Sequence, residues 1–227
     1  MADDIPLLGR LRDKLVETKR RWATDGRLLT GAPDPRRVRR LPPGQRLVET
    51  WPVLDLGVKP EIPHHAWRLV VDGAVEAPTT WRWGEFTDLP KARMVNDIHC
   101  VTAWSHYDNR WEGVATRTLL DLVKPMPEAQ HVILHAFDTY TTNVPLADFA
   151  ASDALLAWSW NGEALSVEHG GPLRVVIPAL YFWKSAKWIK RIEFSAIDKP
   201  GFWEVRGYHN YGDPWREQRY DEELKES

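Results

Sequence analysis

The sequence predicts an α+β fold in which strands dominate. Three observations predict it. Short runs of β-branched and aromatic residues recur, of which His131-Val132-Ile133-Leu134-His135-Ala136-Phe137 and Leu173-Arg174-Val175-Val176-Ile177 are the clearest. Asp72-Gly73 and Asn161-Gly162, both hairpin-type turn signals, close two further runs. Helical spacing of apolar residues is confined to short stretches.

Taken in order, Leu8, Leu11, Leu15 and Trp22 fall near one stripe with Arg and Lys between them, so 7–22 reads as a surface helix with a solvated basic face. Thr24-Asp25-Gly26 stops it. Residues 31–46 hold Pro33, Pro35, Pro42 and Pro43 among arginines from Arg36 to Arg46; proline excludes regular helix, and an extended segment is expected. Residues 1–46 thus form a lead-in, and 47–227 the main domain. Strands are expected from Trp67 to Val71 and from Thr79 to Trp83, the latter with Trp81 and Trp83 on one face. Another, 92–99, delivers Cys100, after which the chain reads as polar loop. Thr116 to Val123 is a short helix capped by Thr116 and stopped at Pro125. The strand 131–137 follows, then an extended piece from Tyr140 to Val144 and a helical turn from Pro145 to Phe149. Ala154 to Trp160, Leu173 to Ile177 and Arg191 to Ile197 complete the strands; Lys184 to Lys190 is a tight basic, aromatic segment. No internal repeat or low-complexity tract is present.

The chain has 227 residues, enough to bury a real core, and a formal net charge of −2. Nothing global therefore argues for nucleic acid or a membrane surface. No apolar run reaches the length that spans a bilayer. Neither Met1-Ala2-Asp3-Asp4 nor the pairs Arg20-Arg21 and Arg39-Arg40 lead into an apolar stretch, so a cytoplasmic chain is expected. Thirteen Trp suit either the walls of a deep polar cleft or a Trp-rich core with amphipathic rims.

Cys100 is the only cysteine, which excludes an internal disulfide and a zinc site built on cysteine pairs. A buried apolar thiol is one reading. A thiolate acting as nucleophile or as soft ligand to one metal is the other, and a place at a strand end favours it. A papain-like hydrolase would need a helix starting at the cysteine, and the residues after Cys100 do not read as one. A second constellation lies downstream. Gly170-Gly171 allows close backbone approach, with His169 and Arg174 on either side. Ser185-Ala186-Lys187 adds backbone N–H groups, a hydroxyl and an ammonium. Arg174, Ser185 and Lys187 read as one anion cradle made from two loops.

On these residues the sequence resembles the molybdopterin-binding domain of the sulfite oxidase superfamily. Ile98-His99-Cys100-Val101-Thr102-Ala103-Trp104-Ser105 looks like the segment bearing the cysteine that ligates molybdenum. His169-Gly170-Gly171-Pro172-Leu173-Arg174 is similar to the element that holds the pterin and its phosphate, and Lys184-Ser185-Ala186-Lys187-Trp188 to the segment closing around it. The tail, Gly201 to Trp215, is similar to a bacterial haem-free branch. The resemblance covers roughly 40–220 and implies a sulfite-oxidase-type fold of mixed sheets with short flanking helices. It implies a molybdenum cofactor (Mo-molybdopterin) with Cys100 as metal ligand. Thr50, Trp51, Val53, His99, Asp138, His169, Arg174, Ser185, Ala186 and Lys187 are its implied cofactor contacts. Trp104, His106, Tyr208 and His209 are the candidates for the substrate pocket.

Sulfite oxidases follow the cysteine with a Gly-Asn-Arg-Arg run, whereas Val101-Thr102-Ala103-Trp104-Ser105 resembles the branch containing the methionine sulfoxide reductase catalytic subunit. The expectation is therefore a two-electron oxygen-atom transfer enzyme that reduces a neutral S-oxide or N-oxide. Sulfite oxidation, or a non-catalytic binding or assembly protein, is the alternative. With no second cofactor site legible, electrons would pass through a separate electron-transfer protein, and the chain would act as a monomer.

Overall fold

The computed structural model describes residues 17, 40–55, 57 and 59–221. The helix expected over 7–22, apart from Glu17, and the Pro/Arg segment up to residue 39 lie outside the described residues. Two mixed sheets form the body. The first holds β1 (Arg46–Leu47), β4 (Lys91–His99), β5 (Trp104–Ala115), β8 (Leu155–Trp160), β9 (Glu163–Ala164) and β10 (Arg174–Val176); the second holds β2 (Arg68–Gly73), β3 (Thr79–Arg82), β6 (His131–Ala136), β7 (Thr141–Pro145) and β11 (Ile189–Ser195). The chain passes repeatedly from one sheet to the other. Three short helices, α1 (Trp83–Thr87), α2 (Thr116–Val123) and α3 (Leu146–Phe149), join strands. Among the described residues no helix is long and apolar enough to cross a membrane.

The long strand β5 organises the first sheet. β4 pairs antiparallel along one edge; β1 and β8 share the other, β1 parallel at Trp104 and Ser105 and β8 antiparallel from Trp111 to Ala115. In the second sheet the order is β3-β2-β11-β6-β7, with β2 and β11 parallel. Strand alternation then decides where side chains go. Leu156 and Val175 join the core between the sheets, together with Leu69, Val71, Leu134 and Ile192. Their neighbours Leu155, Ala157 and Val176 point to the opposite face and join a second, aromatic core with Trp51, Trp104, Trp111, Trp183, Trp203 and Tyr208. At β8 and β10 the first sheet is thus buried on both faces, and the second core holds the site.

Three local expectations are corrected. Trp83 does not extend a strand with Trp81. The Glu85 carboxylate accepts the Arg82 N–H at 2.7 Å and starts α1 at Trp83. Trp81 enters the core, and Trp83 stacks on His64. From Trp104 onward the segment after Cys100 is not a loop but β5, whose inward positions include the polar Ser105 and Asn109. Asn109 is satisfied internally. Its amide N–H groups donate to the carbonyls of Asn96 and His106, and its oxygen accepts from the Trp160 indole. Thr116 does not cap α2 either. Ala115 stands in that place, and the Thr116 hydroxyl donates instead to the Ala154 carbonyl at 3.2 Å.

Candidate active site

Cys100 to Ala103 form the turn between β4 and β5. The Cys100 N–H donates to the Trp104 carbonyl at 2.8 Å, and the Ala103 N–H to the Cys100 carbonyl at 3.1 Å. Ala103 takes a left-handed conformation, φ 67°, to close the turn. Two distant side chains brace it from outside. Gln45 Nε2 donates to the Cys100 carbonyl at 2.9 Å, and Arg219 Nη1 to the Val101 carbonyl at 2.6 Å. Behind Gln45 stand Ser105 and His99, whose Nδ1 lies 2.8 Å from Ser105 Oγ; burial pushes the His99 imidazole down to about 4, so it is neutral at pH 7. The Cys100 thiol is 7% exposed and lies 3.1 Å from Thr102 Oγ1.

The Cys100 side chain borders a cleft that opens to solvent at its mouth. Cys100, Val101, Thr102 and Trp104 line one part of it. His169, Arg174, Ser185, Ala186 and Lys187 line another, so the two loops expected to form a cradle do converge beside the cysteine. Segment 185–186 is stitched along β10. Val175 N–H donates to the Ala186 carbonyl, Arg174 Nη2 to the Ser185 carbonyl, and Ile177 N–H to Ser185 Oγ. Gly170, at φ 107°, permits this approach, since a Cβ there would come within 2.9 Å of Lys187 Cβ and Cγ. Lys187 Nζ donates to the carbonyls of Leu54 and Glu168, tying in the loop that carries Trp51 and Val53. The His169 ring stacks on Trp51 at 4.0 Å, and burial lowers its pKa.

Trp51, Val53, Asp138 and Tyr208 also line the cleft. Thr50, His99, His106 and His209 do not. Thr50 is exposed. His99 turns toward Ser105, and the His106 ring bonds Asn109 Oδ1 at 2.8 Å. His209 Nδ1 accepts the N–H groups of Tyr211 and Gly212 and shapes the tail. Sequence reasoning did not single out Tyr140, Phe182, Trp183 and Trp203, which complete the aromatic wall. The cluster Tyr181-Phe182-Trp183 just before the Lys184-Ser185-Ala186-Lys187 segment was the available signal. Trp183 is fixed from behind. Its indole N–H donates to Glu204 Oε1 at 2.9 Å, and Glu204 is itself paired with the buried Lys184.

The donor set fits a group carrying both a phosphate and a metal that accepts sulfur. Arg174 is 2% exposed, and no carboxylate pairs with it among the described residues. Burial alone lowers its pKa, to about 9, so it stays charged at neutral pH. A buried charge without a counterion is costly, and an anion in the cleft would offset that cost. Cys100 adds one soft donor. Among the described residues no group of three or more His, Cys, Asp or Glu side chains is placed to hold a metal ion. A metal at Cys100 would therefore take most of its ligands from the group that brings it.

Comparison with known proteins gives the following. The model of the family described as "Oxidoreductase molybdopterin binding domain" matches residues 56–203. The chain is 46% identical over 185 residues to the "Uncharacterized oxidoreductase YuiH" of Bacillus subtilis, covering 80% of this chain and 92% of that one. It is 27% identical over 169 residues to the "Protein-methionine-sulfoxide reductase catalytic subunit MsrP" of Campylobacter jejuni, covering 64% of this chain. It spans only 54% of the length of that relative. Among solved structures, the sulfane dehydrogenase SoxCD of Paracoccus pantotrophus superposes with a TM-score of 0.58 at 20% identity, over 66% of this chain and 42% of that one. This last likeness is one of fold, and it bears out the mixed-sheet architecture expected from the sequence.

Proposed function

This chain belongs to the oxidoreductase molybdopterin-binding domain family and is a molybdopterin-dependent oxidoreductase; from that premise we propose that it reduces a neutral S-oxide or N-oxide by two-electron oxygen-atom transfer. The bound cofactor supplies a metal centre that changes by two electrons and exchanges one oxygen atom with the substrate. The chain's own part is to hold that group, shape the space beside it and limit the access of water. Cys100 supplies a soft thiolate ligand. Arg174, Lys187, His169, Ser185 and the Ala186 backbone would hold the phosphate, and Trp51, Val53 and Asp138 border the same cleft. Electrons come from a separate redox protein.

The observation that carries the substrate class is the wall beside Cys100. Val101, Thr102 and Trp104 form it, and Tyr140, Trp183, Trp203 and Tyr208 continue it. None of these bears a charge. Sulfite is a small dianion at neutral pH, and turning it over requires converging positive charge. Arg110 and Arg206, which could have supplied it from a distance, do not line the cleft; Arg206 lies over the Phe202 ring at 3.8 Å. The cations that do line it, Arg174 and Lys187, spend their donors on backbone carbonyls of the cradle, Arg174 on His169 and Ser185 and Lys187 on Leu54 and Glu168. An uncharged oxide needs only an apolar wall and a donor or two to orient it. Tyr208 offers a hydroxyl, and the Trp104 indole N–H is buried with no hydrogen-bond partner among the described residues. The sulfoxide-reductase relative supports the same class.

Steady-state assays with a reduced viologen as donor test this on S-oxides and N-oxides, against sulfite oxidation with a dye acceptor. Turnover of neutral oxides with slow or absent sulfite oxidation is expected; the reverse pattern sinks the substrate class. Cys100→Ser should abolish turnover while leaving the fold largely intact by circular dichroism, since a hydroxyl is a harder and poorer ligand. Full activity in that variant, with molybdenum bound, would remove Cys100 from the metal.

A further inference from the structure

We infer that Thr102 is a positioning residue for the metal centre: its hydroxyl donates a hydrogen bond to the Cys100 thiolate and raises the reduction potential of the metal that this sulfur holds. The inference rests on the reading of Cys100 as ligand given above. Thr102 is 2% exposed, lines the cleft, and places Oγ1 3.1 Å from the Cys100 sulfur. In the free thiol either atom can be the donor. A metal-bound thiolate has no proton, so the hydroxyl alone can donate.

The geometry is held rather than accidental. Both residues belong to one four-residue turn, closed by the bonds from Cys100 N–H to the Trp104 carbonyl and from Ala103 N–H to the Cys100 carbonyl. Gln45 fixes the Cys100 carbonyl and Arg219 the Val101 carbonyl, so the turn is braced from two remote parts of the chain. Threonine is β-branched and restricted at χ1, and burial removes solvent as a competing partner for its hydroxyl. A hydrogen bond to a ligating sulfur withdraws electron density from it. The weaker donor stabilises an oxidised metal less, and the potential rises. The hydroxyl also adds no charge to the neutral wall of the cleft.

The test compares Thr102→Val, which removes the hydroxyl and keeps the branched shape, with Thr102→Ser, which keeps the hydroxyl. The readouts, taken on molybdenum-loaded protein, are the metal midpoint potential from an EPR-monitored redox titration and the sulfur-to-metal charge-transfer band. We expect Thr102→Val to shift the potential to lower values and the band to longer wavelength, and Thr102→Ser to restore both toward the native values. Loaded Thr102→Val with an unchanged potential and band overturns the inference. If Thr102→Val does not take up metal, Thr102→Ala is read by the same two criteria. A native protein with no sulfur-to-metal band, together with full loading of Cys100→Ser, would instead overturn the ligand assignment itself.

Discussion

Arg174 donates to the carbonyls of His169 and Ser185 while its charge meets no carboxylate among the described residues. Truncation to Ala removes the cation and leaves two carbonyls without their donor. Each charged hydrogen bond to a phosphate contributes about 1.5–3 kcal/mol. Arg174→Ala and Lys187→Ala should therefore each retain the pterin roughly 10- to 100-fold less tightly. Arg174→Ala should also lower the melting temperature more than Lys187→Ala, because Arg174 is the more deeply buried. Pterin content per chain after purification, read by fluorescence, checks the first statement; full content in both variants would place the phosphate elsewhere. These residues were legible because a glycine pair and a short basic segment announce them locally. His99 was misleading for the opposite reason. Adjacent strand residues point to opposite faces, so its nearness to Cys100 in sequence says nothing about a shared cleft. Gln45 and Arg219 carried no local signal at all.

Strand β5 depends on one residue that has no side chain. A Cβ on Gly113 would lie 1.9 Å from the Leu156 carbonyl oxygen, at the irregularity where β5 meets β8. Backbone cannot yield as a flexible side chain can. Gly113→Ala should cost at least about 3 kcal/mol and splay the two strands; denaturant unfolding that matches the native protein would refute this. In the other sheet, His135 sits between β11 residues, with Glu193 at 3.0 Å and Arg191 at 3.4 Å. Burial lowers its pKa below 6.5, Arg191 adds to this and Glu193 opposes it. The unfolded chain then binds a proton at His135 below pH 6.5 that the folded chain does not, so stability is fully present above 6.5 and falls as pH drops through that range. His135→Gln should flatten the decline between pH 7 and pH 5 in urea titrations; an unchanged slope would mean that His135 is not its source. Strands with β-branched runs, β6 and β10 among them, were legible. β5 was not, because its inward Ser105 and Asn109 look like loop residues until their partners on other strands are known.

At the scale of the molecule, the fold class and the cysteine-centred cleft were legible, while the aromatic wall was legible only as an excess of tryptophan. Five of those rings, Trp51, Trp104, Trp183, Trp188 and Trp203, line the cleft, and Trp67 and Trp81 fill the core between the sheets, so both readings of the composition hold in different places. The wall draws on segments that no local pattern connects. The brace from Arg219 to the Val101 carbonyl has a consequence in time. It joins positions 118 residues apart, and the same guanidinium reaches the Gly44 carbonyl, 175 residues away. A ribosome makes the cysteine turn long before it makes the residue that clamps it. The nascent chain therefore carries an unclamped thiol until 118 residues beyond Val101 have been added and Arg219 can reach back. We expect cofactor capture to wait for Arg219: stalled ribosome-bound chains ending before residue 219 should hold no molybdopterin, and chains loaded at that stage would show that the turn is set without its clamp.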